Sequence, residues 1–242
     1  MLLEGLFVPL TTPFYLDGRL NLRKLEHNVD RYSRTPAAGM AVLSEWGDSS
    51  LLTDEEAREG LGAAIALAGR EKVMLAGVSR DSVFATVELA IHAASLGYDA
   101  VLVGPPSLFR KDGEEKRLLG YFQAVADQSP LPVVLASSIA GPIATELVLS
   151  LAAHPNVFGL VDAEETAGRI AAIRAGSSSV AHEVTVTTVF TAVTGRMLAE
   201  RSTSGGATFI TADSLTDGAT ALAVAPPLAE LKTRSKTVGF RS

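Results

Sequence analysis

The sequence contains no cysteine, which excludes disulfides, thiolate nucleophiles and cysteine-ligated metals. Aromatic residues make up only 6%, and there is a single tryptophan, Trp46. Positive charge is in deficit: 21 Lys and Arg stand against 27 Asp and Glu, a formal net charge of −6, with no basic cluster. That argues against nucleic acid and against an anionic membrane surface as partners. No apolar run approaches the ~18 residues of a membrane span. The N-terminus shows no basic stretch leading into an apolar core, so no secretion signal is expected, and a cytoplasmic protein is. No Gly-x-Gly-x-x-Gly follows a strand-like run, and there is no P-loop. The four histidines, His27, His92, His154 and His182, are scattered, and no two share metal-ligand spacing on one element. Neither a metal nor a cofactor is expected.

What is present is an alternation. Short, continuously apolar runs occur at Leu6 to Leu10, Met40 to Leu43, Lys72 to Val78, Ala100 to Val103, Pro132 to Leu135 and Val157 to Val161. Longer amphipathic segments separate them. Leu22, Leu25, Val29 and Tyr32 fall three and four apart, on one helical face. Thr53-Asp54-Glu55-Glu56 has the form of a capping box. The segment from Ser82 to Ser95 places Phe84, Val87 and Ile91 on one side, and Gly97 is its expected C-cap. Helices are also expected around Glu114 to Ala126 and Ala144 to Ala153. Runs without alternation suit strands covered on both faces, and strand–helix repeats imply parallel pairing. A chain of 242 residues fits one (β/α)8 barrel of ~250. The seventh strand is expected at Thr191 to Thr194, with Val184 to Val189 before it either extending that strand or forming a separate irregular piece, and the eighth in the Ala207 run. The barrel is thus expected over 1–212, and a short helix with a frayed tail over 213–242.

The residues also carry a likeness. Gly5 to Phe14 with Asp17-Gly18, Leu52 to Glu56, Ala76-Gly77-Val78, Gly97 to Val103, Leu131 to Leu135 and His154 to Leu160 occur in order and at consistent spacing. Together they resemble the dihydrodipicolinate synthase and N-acetylneuraminate lyase family. The resemblance implies a (β/α)8 barrel acting on a 2-keto acid. A lysine on the sixth strand would form a Schiff base with the ketone. A tyrosine on the fifth strand would shuttle protons. A Gly-Thr-Thr-Gly-Glu loop after the second strand would grip the carboxylate, and a further tyrosine would follow the fourth. A homo-oligomer is implied as well, as is a helical extension for which residues 213–242 leave only partial room.

The same likeness shows what is missing. The lysine position is Val161, and the tyrosine position is Ala136. The carboxylate loop reads Ser44-Glu45-Trp46-Gly47-Asp48, and the loop after the fourth strand reads Pro105-Pro106-Ser107-Leu108. No arginine occurs in Ser138 to Pro142. Lys111 is the one lysine expected near the mouth. The expectation is a family barrel without Schiff-base lyase activity, a pseudoenzyme that keeps a small-carboxylate or keto-acid ligand or a partner role. The alternative is a lyase or hydrolase that divides acid and base roles between Glu45 and Asp162. Thr12, Trp46, Arg80, Ser137 and Thr194 are the candidate substrate contacts, because residues just past strand C-termini face a barrel's active site. Each has a plainer reading: Glu45 in an ion pair with Arg80 or another arginine, and Trp46 as filling for the space of the missing tyrosines.

Overall fold

A computed structural model describes residues 6–109, 114–138, 141–162, 169, 172–173, 175–176, 185–190 and 208–210. Eight parallel strands close a barrel in chain order: β1 (Leu6–Pro9), β2 (Gly39–Val42), β3 (Val73–Gly77), β4 (Ala100–Val103), β5 (Val133–Ser137), β6 (Val157–Asp162), β7 (Thr185–Phe190) and β8 (Thr208–Ile210). Closure is made by β8, which pairs with β7 through Val189 and Phe209 and with β1 through Phe209 and Phe7. Five helices follow the early strands: α1 (Leu22–Ser33), α2 (Asp54–Ala66), α3 (Val83–Leu96), α4 (Glu115–Gln128) and α5 (Thr145–Ala152).

The ends of these helices follow from local chemistry. Thr53 Oγ1 accepts from the Glu56 amide at 3.2 Å, and Glu56 Oε2 accepts from the Thr53 amide at 2.9 Å, a reciprocal box that satisfies two orphan donors of α2. Gly97 ends α3 in the left-handed region at φ 92°. Strand alternation then builds two cores. Phe7, Ala41, Leu75, Ala100, Leu102, Val134 and Val161 fill the barrel interior. Val8, Met40, Val42, Met74, Val101, Val103, Leu135 and Leu160 meet the helices outside.

Strand seven is Thr185–Phe190, in the Val184 to Val189 stretch, and Thr191 to Thr194 lie outside the described residues. The long β-prone stretch carries no period that marks its start, and pairing with β6 through Val161 and Thr187 sets the register. Helix α3 does not bury Phe84 and Ile91, which are 75% and 47% exposed; Thr86, Val87, Leu89, Ala90 and Ala93 face inward. The helix is apolar on most sides, so spacing alone does not choose its face. Fully buried Ala90 and Ala93 are small enough to let its backbone come close to the barrel. The expected segment 213–242 lies outside the described residues.

Candidate functional site

The C-terminal mouth is shaped first by the exit of β2. Leu43 takes φ 52°, a left-handed conformation rare for a side chain of its size, and Asp48 takes φ 55°. At Gly77 on β3, a Cβ would stand 1.9 Å from the Leu43 carbonyl oxygen. Only glycine permits that approach. The chain then makes a one-turn 3-10 helix, Glu45–Gly47. Thr12, nearly buried, donates from Oγ1 to the Gly47 carbonyl and so ties this loop to the end of β1. Trp46 packs on the interior cluster from above.

Beneath it, Val161 and Ala136 stand in register on β6 and β5. Val161 is fully buried among the interior side chains, and Ala136 is 4% exposed. The layer that the resemblance assigns to an amine and a phenol is therefore a hydrocarbon floor.

The two candidate carboxylates are held by separate partners. Glu45 Oε1 accepts from the Ser138 hydroxyl at 2.7 Å, and Ser138 Oγ accepts from the Gly141 amide at 3.1 Å. Asp162 is fully buried, follows inward-packing Val161, and is bound by Arg169, whose Nε lies 3.2 Å from Asp162 Oδ2. Arg169 also reaches the Thr145 hydroxyl at 3.2 Å, the Ser137 hydroxyl at 3.4 Å and the Ile143 carbonyl. Ser137 is wholly buried and accepts from the Ile143 amide at 2.9 Å. Asp162 and Ser137 thus serve a clamp that fastens the loop after β5 to β6. Arg169 was not among the sequence candidates. It stands seven residues after Asp162, and no local pattern marks it; only the fold brings its guanidinium to three elements at once.

The expected pairing of Glu45 with Arg80 does not form. Arg80 donates from Nε to Asp54 at 2.7 Å and from Nη1 to the Ser79 carbonyl at 2.9 Å, so it faces the start of α2. A carboxylate from the N-terminus of α2 reaches it first. Its Nη2 and the Ser44 Oγ are the buried polar atoms left without a partner among the described residues. Lys72 sits at the opposite end of the barrel, where Nζ donates to the Thr35 and Ala37 carbonyls at 2.8 and 2.9 Å. Thr194 and Lys111 lie outside the described residues. Among those residues no group of three or more potential metal ligands gathers, and no helix is long and apolar enough to cross a membrane.

Comparison with known proteins agrees with this frame. The profile of the Dihydrodipicolinate synthetase family matches residues 2–211. A 4-hydroxy-tetrahydrodipicolinate synthase of Xanthomonas campestris is 34% identical over 178 residues, which cover 72% of this chain and 58% of that protein. An L-threo-3-deoxy-hexylosonate aldolase of Hypocrea jecorina is 33% identical over 64% of this chain and 52% of its own length. The chain thus spans somewhat more than half of these curated relatives. In solved structures, the dihydrodipicolinate synthase of Acinetobacter baumannii complexed with pyruvate superposes with TM-score 0.80 at 21% identity, covering 97% of this chain and 79% of that one. A family protein from Coccidioides immitis gives TM-score 0.80 at 23% identity, covering 98% and 75%.

Proposed function

The chain belongs to the dihydrodipicolinate synthetase family, and from that premise we propose that it is a family barrel that does not use Schiff-base chemistry. The observation that carries this reading is Val161, fully buried beside Ala136 in the interior layer. An imine needs a primary amine within reach of the ketone, and valine offers none. The grip on an acid is weakened as well, since the loop after β2 presents Glu45 and Trp46 where the resemblance implies two hydroxyls. Small-acid binding is therefore weak in this reading, and the protein's role rests on another ligand or on a partner. Shared acid–base work by Glu45 and Asp162 gains no support, because Asp162 is neutralised by Arg169.

The test is borohydride reduction in the presence of pyruvate and other 2-keto acids, read by intact mass, with a lysine-bearing relative treated in parallel. The expected result is no adduct on this chain and full labelling of the relative. A mass gain matching a reduced imine would overturn the reading, and peptide mapping would name the lysine.

A further inference from the structure

We infer that Glu45, Ser44 and Trp46 form a recognition site for the ammonium group of a small organic amine. The argument begins with unspent charge. A carboxylate offers roughly four lone-pair positions. Among the described residues Glu45 has one partner, the Ser138 hydroxyl at 2.7 Å. That hydroxyl is oriented from behind by the Gly141 amide, so it fixes the carboxylate without neutralising it. Among the described residues of this end, Arg80 pairs with Asp54 and Arg169 with Asp162, and neither is bonded to Glu45. Glu45 is only partly buried, so a ligand can reach it.

The flanking residues add two features that suit a cation. Ser44 opens the same turn, and its hydroxyl makes no capping bond. It is 2% exposed, and its Oγ has no partner. A buried oxygen left unmet carries a free-energy cost that a donor removes. An ammonium brings three donors and no acceptor. Trp46 lies next in sequence, partly buried on the apolar interior, and indole is the strongest cation–π partner among side chains. This deepens the non-imine reading by naming a ligand class, and the two fail separately: the trapping experiment concerns lysine chemistry, the one below concerns charge.

Trp46 is the only tryptophan, so intrinsic fluorescence reports on this turn directly. The probes are n-propylammonium, 1-propanol and propanoate at pH 7, three ligands of similar size and different charge, on the full chain. Propylammonium is expected to give a saturable change, and propanol and propanoate none in the same range. Glu45→Gln is expected to weaken propylammonium at least about ten-fold, as befits loss of a charged hydrogen-bond partner. Equal responses to propylammonium and propanol would overturn the inference without any variant. So would the absence of a saturable response to propylammonium, an unchanged affinity in Glu45→Gln, or tighter binding of propanoate, which would restore an acid ligand.

Discussion

At the scale of single residues, Val161 and Asp162 are neighbours with opposite roles, one closing the interior and the other anchoring a loop. Val161→Lys would place an ammonium in a cluster of Phe7, Leu75, Leu102 and Val134. Burying an unpaired charge there costs on the order of 3–5 kcal/mol, partly relieved if the amine gives up its proton. The variant is expected to unfold at markedly lower urea and to show no aldolase turnover, since Ala136 still supplies no phenol. Robust turnover would refute the assignment of the lost proton relay. Asp162→Asn removes the carboxylate from the pair with Arg169, whose side chain is 8% exposed. The expected loss is about 3 kcal/mol. Glu45→Gln keeps an acceptor for Ser138 at a partly open site, so its expected effect is within about 0.5 kcal/mol. Melting temperatures of the two variants distinguish an anchor from a ligand-facing acid; equal losses would make Glu45 structural. Glu45, Trp46 and Thr12 were legible as mouth residues because strand ends are visible in sequence. Their partners were not. Glu45 and Ser138 are 93 positions apart, and nothing local couples them.

At the scale of elements, the tie among α3, α4 and the end of β3 runs through Tyr121. Its hydroxyl donates to the Arg80 carbonyl at 2.8 Å and lies 2.9 Å from the Thr86 hydroxyl. Burial pushes its ionisation up from 10.0 to about 12. Between those values the unfolded chain has released a proton that the folded chain keeps. Stability from this group is complete below pH 10 and falls as pH rises toward 12, by about 3 kcal/mol in all. Tyr98, buried and donating to the Leu61 carbonyl at 2.9 Å, is shifted upward too and acts in the same direction. The urea midpoint is expected to drop between pH 9 and pH 11.5, and to drop less in Tyr121→Phe. An identical drop in that variant would remove Tyr121 from the account. The capping box of α2 and the glycine end of α3 could be read from sequence, because each is written within four residues. The buried face of α3 could not, because apolar residues surround it, and packing against the barrel made the choice.

At the scale of the whole molecule, the barrel was readable from the repeat of apolar runs and amphipathic segments. Its closure was less so, because the strand-seven region has no internal punctuation and takes its register from β6. The trapping experiment belongs to this scale, since intact mass counts every lysine in the chain, including Lys111. The two glycine-permitted contacts at the mouth also act on the whole. Gly77 holds the carbonyl of Leu43 where no side chain could stand, and Gly47 passes close to the Leu10 carbonyl, 2.6 Å from where its Cβ would lie. The route of the loop is therefore dictated by neighbouring strands and not by the side chains the loop displays. Glutamate and tryptophan can occupy it without redirecting it. A superposition at this mouth consequently reports ancestry of shape and is silent about reactivity: two barrels can coincide here in every backbone atom and share no reaction.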